Sequence, residues 1–197
     1  MAAVSSAALL DVLTGPVLDA APRLLGATFT HGGVTVRLTE VEAYDGPNDP
    51  GSHAHRGRTR RNAVMFGPAG HLYVYFTYGM HHCCNVACGP DGEASAILLR
   101  AGEVVDGLDT ARERRPGSSD RDLARGPGRL CKTMGIHREH DGLDLRDSLR
   151  LGPPLADIST GPRVGLRLAS DRPWRFWITG HPTVSRYVAA KPRPARG

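Results

Sequence analysis

Aromatic residues are scarce in this sequence, at 6% of 197 positions, and lysine is nearly absent: Lys132 and Lys191 are the only lysines among 25 basic residues. Nowhere do about 18 apolar residues run together, which excludes a membrane-spanning helix. Met1 to Leu13 has neither the basic start nor the long apolar stretch of a secretion signal, so a soluble, intracellular, cytoplasmic protein is expected. The chain holds no G-x-G-x-x-G, no Walker A loop, no H-E-x-x-H and no G-x-S-x-G, and nothing points to a nucleotide cofactor. The His-x-Glu and Pro-Cys-x-x-Cys signature of zinc deaminases is missing too. Cysteines are few, at 83, 84, 88 and 131, and the adjacent Cys83 and Cys84 fit a reducing compartment better than a disulfide framework. His81 and His82 stand beside them, but the second cysteine pair that a zinc site uses is lacking. These thiols are expected to act as small apolar side chains. His137 and His140 form an isolated H-x-x-H pair. Neither metal nor cofactor is expected.

What is present suffices for one core, since a chain of this length buries roughly 70% of its unfolded surface. One domain is expected over residues 1–190, with a disordered Pro/Arg-rich tail over 191–197. Leu9, Leu10, Leu13, Val17, Leu18, Leu24 and Leu25 give residues 7–26 a helical pattern, broken at Gly15-Pro16 and closed by Gly26. Val34 to Tyr44 alternates with period two between Gly32-Gly33 and Gly46-Pro47 and reads as a strand. One face carries Val34, Val36, Leu38, Glu40, Glu42 and Tyr44, apolar first and carboxylate last, as in a core strand that opens into a cleft. A polar loop follows from Asp45 to Asn62, and such loops carry function. Strands are expected over 71–76, 83–86 and 94–100, forming an antiparallel meander or hairpin around the Tyr78-Gly79 turn. Residues 103–115 read as helix, 115–122 as a mobile surface loop, and 123–134 as helix interrupted at Gly126-Pro127-Gly128 and closed by Gly135. Two further strands are expected over 160–168 and 174–179, the latter turning Trp174, Phe176 and Ile178 inward. Helices and strands neither alternate nor repeat, so the class is α+β with a mostly antiparallel sheet.

The bias toward arginine reads as compositional, but its local density does not. Arg56, Arg58, Arg60 and Arg61 crowd one short segment with His53 and His55, which suits a polyanion whose phosphates they would neutralise. The polar residues near strand ends are Glu42 with Tyr44, Tyr73 with Tyr75, Asn85 and Arg100. Glu40 competes with Glu42 on one face and Tyr73 with Tyr75 on another, and period two separates neither pair.

Five segments carry a resemblance: E-V-E-A-Y from Glu40 to Tyr44, H-A-H-R-G-R-T-R-R-N from His53 to Asn62, L-Y-V-Y-F-T-Y-G-M from Leu72 to Met80 and on to Asn85, L-L-R-A from Leu98 to Ala101, and R-G-P-G-R-L-C from Arg125 to Cys131. In this order they resemble the alkyladenine (3-methyladenine) DNA glycosylase family, over roughly residues 9–188. The resemblance implies a single α+β domain, its curved sheet surrounded by helices and bearing a protruding β-hairpin. It implies a monomeric, bacterial-type, nucleoid-associated repair enzyme without metal or cofactor. Such an enzyme acts on double-stranded DNA with damaged purines, among them 3-methyladenine, 7-methylguanine, hypoxanthine and ethenoadenine. It hydrolyses the N-glycosidic bond and leaves an abasic site, without lyase activity. Glu42 matches the family's general base, and Arg100 and the Val164 carbonyl its water contacts. Tyr44, His53 and Tyr75 match the walls of the base pocket, and Asn85 the residue that excludes normal guanine by its 2-amino group. Tyr78 matches the wedge that fills the gap left by the extruded nucleotide, with Met80 and His81 beside it. Arg56, Arg58, Arg61, Arg125, Arg129 and Lys132 would contact phosphates. Arg60, where proline is common, and His81 depart from the usual pattern and leave lesion preference and affinity open.

The physical logic agrees. Extruding a base costs a few kcal/mol, and stacking it between aromatic faces returns about 1 to 3 kcal/mol per base. Two other classes fit parts of the pattern: a non-catalytic binder of damaged or bent DNA using Tyr78 and the arginines, and a metal-dependent nucleic-acid enzyme built on Cys83, Cys84, Cys88 and His81. Release of free base from lesion DNA, and its insensitivity to EDTA, separate the three.

Overall fold

A computed structural model gives the structure and describes residues 6–77 and 79–190. Tyr78 and the tail at 191–197 lie outside the described residues. Gly15 and Pro16 divide the first helical stretch as expected, into α1 (Ser6–Leu13) and α2 (Val17–Arg23). Leu9, Leu13, Val17, Ala20 and Leu24 go into the core. Gly26 then takes a left-handed φ of 80°, which ends the run.

Strands β1 (Thr28–His31) and β2 (Val34–Tyr44) form a hairpin on Gly32-Gly33. Strands β3 (Leu72–Thr77), β4 (His81–Cys88) and β5 (Ser95–Asp106) continue as an antiparallel meander. Next come α3 (Leu108–Arg114) and α4 (Pro127–Met134), then β6 (Leu149–Arg150), β7 (Ile158–Gly161) and β8 (Arg175–Ile178). Among the described residues these eight strands make one antiparallel sheet curled into a half-barrel, six of them in the order β3-β4-β5-β2-β1-β6, with β8 branching from β2 and β7 pairing with β8. β2 is its axis. β5 follows it from Thr35 to Tyr44 on one side, while the other side is shared by β1, against Val34–Arg37, and β8, against Glu40–Glu42. The core lies between this sheet and the helices, with α2 on β2 and α4 on β4 and β5. A smaller cluster of Ala54, Met65, Tyr73, Ala94 and Ala96 packs where the polar loop returns to the sheet. Among the described residues no helix is long and apolar enough to cross a membrane.

The structure corrects several expected boundaries. Residues 103–106 belong to β5, because Val104 and Val105 keep the extended backbone. The break is Gly107, with φ of 73°, and the helix starts after it. The stretch 160–168 is strand only to Gly161, since Pro162 cannot continue the ladder. The short strands β1 and β6 were not anticipated, being four and two residues long. Of the helix expected over 123–134 only α4, after Gly126, forms, because 123–126 is a turn from which Arg125 bridges to Ala101. In the 115–122 loop Asp120 Oδ2 meets Arg112 Nη2 at 2.9 Å, an exposed ion pair.

Candidate active site

Near the end of β2 the pairing with β5 slips twice. Leu38 faces Gly102, Glu40 faces Ala101, and Val41 faces Leu99. Thr39 on one strand and Arg100 on the other are the residues skipped, and bulges of this kind re-aim side chains. They bring Glu40, Glu42 and Arg100 together, all three buried. Arg100 Nε donates to Glu40 Oε1 at 2.8 Å, and its Nη1 lies 3.3 Å from Glu42 Oε1.

The two carboxylates that period two could not separate have different surroundings. Glu40 also accepts from Arg175 Nε at 2.7 Å, the Ser185 N–H at 2.6 Å and Ser185 Oγ at 2.9 Å. Burial pushes its pKa up, but Arg100 and Arg175 outweigh burial and hold it below the usual carboxylate range. It is saturated with partners and faces inward. Glu42 lines a cavity instead. Its Oε1 accepts the Val164 N–H at 2.7 Å and its Oε2 the Tyr44 hydroxyl at 2.8 Å. The irregular backbone after Gly161 leaves the Val164 N–H free of any strand partner and able to point at the carboxylate.

The cavity has a volume of about 640 Å³. Tyr44, Tyr73, Tyr75 and His53 give it aromatic walls, with Met65, Leu98 and Cys83 between them. His53 meets the Tyr75 ring edge-on at 4.6 Å, and its Nδ1 is 3.2 Å from the Tyr73 hydroxyl. Asn85 donates from Nδ2 to the Tyr73 carbonyl at 3.2 Å, which fixes the amide at the wall. Burial, followed by the Glu42 charge, pushes the Tyr44 hydroxyl well above its ordinary pKa, so it stays protonated and donates. Burial likewise raises Tyr75, and it pushes the Cys83 thiol up to about 11. His53 at the mouth is lowered, first by lost hydration and then by Arg61, whose guanidinium lies 5.5 Å over the Tyr75 ring.

The opposite rim is basic. Arg115, Arg125 and Arg129 line it with the Gly126-Pro127-Gly128 start of α4. His81 packs so closely on Gly128 that a Cβ there would come within 3.1 Å of the ring.

A model of the methylpurine-DNA glycosylase family matches residues 11–182. The chain belongs to that family. It is 52% identical over 195 residues to a protein of Streptomyces avermitilis, covering 92% of each chain. It is 58% identical over 181 residues to one of Nocardia farcinica, covering 85% of each. Both relatives are named, provisionally, 3-methyladenine DNA glycosylases. Membership makes the chain a DNA glycosylase, a hydrolase with DNA as its substrate.

In this glycosylase one cavity gathers Glu42, Tyr44, His53, Tyr75, Asn85, His81, Arg100, Arg129 and Val164 from segments far apart in sequence. Arg56, Arg58, Met80 and Lys132 are exposed and lie outside its lining, Met80 being 69% exposed. Tyr73, Met65, Cys83, Leu98 and Arg115 also line it; Tyr73 was signalled by its alternation with Tyr75 and Cys83 only as part of the cysteine cluster, while Met65, Leu98 and Arg115 carried no signal. The four cysteines are free and buried, and among the described residues no three His, Cys, Asp or Glu side chains could hold a metal ion.

Proposed function

We propose that this DNA glycosylase extrudes alkylated or deaminated purines from duplex DNA and hydrolyses their N-glycosidic bond with a water activated by Glu42. The observation that supports this is a fully buried carboxylate, held by Tyr44 and Val164, that still opens into an aromatic cavity. Water attacks the sugar C1′, gives its proton to Glu42, and the bond electrons leave with the base. An anion beside C1′ also stabilises the oxocarbenium-like sugar of the transition state. Arg100, with Nη1 at 3.3 Å from Glu42, and the Val164 carbonyl hold the water.

A 3- or 7-alkylpurine already carries positive charge and departs neutral, while hypoxanthine must first be protonated. The tyrosine faces select for the former, because electron-deficient rings stack most favourably on them. Asn85 opposes the 2-amino group of normal guanine. Tyr78 fills the space left in the duplex, and the arginines of the polar loop and of α4 hold phosphates without reading sequence. The products are a free base and an abasic site in an uncut strand, and the enzyme works as a monomer.

Glu42→Gln tests the reading. Single-turnover release of free base from a hypoxanthine duplex is expected to fall by about 10²- to 10⁴-fold, the range of general-base catalysis, with the affinity for that duplex retained. Release at the wild-type rate would overturn the assignment.

A further inference from the structure

Both hydrogen bonds that aim the Glu42 carboxylate lead back to one side chain that the cavity does not reach. Arg163 is 1% exposed. Its guanidinium lies 4.6 Å from the centre of the Tyr44 ring, whose hydroxyl donates to Glu42 Oε2. The next residue, Val164, supplies the N–H on Oε1.

Arg163 is itself locked in place. Nη1 and Nη2 form a two-pronged pair with Asp49, at 2.5 Å to Oδ2 and 2.8 Å to Oδ1, and Nη1 also donates to the Ala43 carbonyl at 2.9 Å. The guanidinium also lies 5.1 Å from the centre of the Trp174 ring. The polar loop closes tightly on this pair, because the Gly51 N–H donates to Asp49 Oδ1 at 3.0 Å and a Cβ on Gly51 would come within 2.9 Å of Nη2. Arg163 Nε is nevertheless buried and has no hydrogen-bond partner among the described residues. A buried ion pair with an orphaned donor is a poor way to gain stability. It is a good way to fix geometry, since the planar two-pronged contact admits one orientation.

We propose that Arg163, paired with Asp49, is a positioning residue for base excision: it fixes the Tyr44 ring and the Val164 N–H, and through both the orientation of the Glu42 carboxylate. The inference rests on the reading of Glu42 as the base. It also ties the loop that carries His53 and the arginines to the same anchor as the catalytic carboxylate.

The test is a double-mutant cycle of Arg163→Lys with Glu42→Gln. Free-base release from a hypoxanthine duplex is measured under single turnover, well below each variant's melting temperature, together with the Kd for that duplex. Lysine keeps the charge toward Asp49 but loses the flat face on Tyr44 and the second prong. R163K alone is expected to slow release about 10- to 100-fold, the cost of misaligning a reacting group, with Kd within about three-fold of wild type. In the E42Q background it is expected to slow release by less than about three-fold, because coupled residues are not additive. An unchanged rate in R163K, or a loss carried over in full into E42Q, would show that Arg163 does not act through Glu42. Full activity of E42Q alone would instead remove the reading of Glu42, so the two failures are distinct. If R163K does not fold, Asp49→Asn takes its place in the cycle, with the same signs expected.

Discussion

Besides walling the cavity, Tyr44 has two duties carried by different atoms. Its ring covers the Arg163 guanidinium, and its hydroxyl donates to Glu42 Oε2 at 2.8 Å. Tyr44→Phe keeps the first and removes the second, leaving one carboxylate oxygen without its donor. The hydroxyl's raised pKa means that it donates across the whole neutral and mildly alkaline range, so the loss is present at every assay pH. Single-turnover release is expected to fall about 10-fold, the equivalent of one hydrogen bond to a charged group, with lesion affinity unchanged. An unchanged rate would mean that the Val164 N–H and Arg100 suffice to orient Glu42. At this scale the sequence was partly legible. Glu42, Tyr44, Asn85 and Arg100 line one cavity; alternation left Glu40 and Glu42 equal, the resemblance favoured Glu42, and the contacts that distinguish Glu40, with Arg175 and Ser185, come from more than 130 positions away. Arg163 was not legible at all, because its meaning lies in contacts with Asp49, 114 positions earlier, and Ala43, 120 positions earlier.

At the scale of elements, period-two patterning located β2 from Val34 to Tyr44, although burial alternates only to Leu38; beyond the bulge the core side passes to Val41 and Ala43, and Glu40 and Glu42 are buried on the other side. The same logic stopped β5 at residue 100, six residues short. Glu103 and Asp106 look like a helix start, and only the pairing with β2 keeps that stretch extended. The bulges were equally hidden, since they are properties of two strands together. Gly102 shows what the close β2–β5 approach requires: a Cβ there would lie 2.2 Å from Val36 Cγ1 and 2.7 Å from the Arg37 carbonyl. Gly102→Ala must therefore spread the two strands two residues beyond Arg100. Overpacking of this kind is expected to cost about 1 to 3 kcal/mol, read as a lower urea midpoint at unchanged slope. The distortion reaches the bulge, so base release should slow in protein that is still folded. Wild-type stability in this variant would show that the strands separate freely at that point and do not fix Arg100.

The whole molecule is an α+β domain, and its class was legible from the disorder of its element order and the polar loop between strands. The curl of the sheet was implied by the family resemblance alone and by no pattern within a strand; in the fold, β2 shares one edge between β1 and β8. Stability of the assembled domain should depend on pH in two stages. His31 is lowered first by burial and then by His140, whose ring meets it edge-on at 4.5 Å. His82 is lowered by burial and then by His137, and His181 by burial against the opposing pull of Glu103. A histidine with a folded pKa below its unfolded value of 6.5 binds protons more readily when unfolded. Its contribution is complete above 6.5 and is lost as pH falls from there through the lower folded value. Glu40 and Asp49 are also lowered, against burial, by Arg100 with Arg175 and by Arg163. Their contribution is present above the unfolded values of 4.5 and 3.8 and is lost on further acidification through the folded ones. Thermal melts from pH 8 to pH 3 should thus show a level Tm down to neutrality, a first decline through the histidine range, and a steeper one where the buried carboxylates protonate. A Tm that rose between pH 7 and pH 5 would contradict the histidine part. A Tm that stayed level below pH 4 would show that Glu40 and Asp49 are not held as ions by the arginines around them.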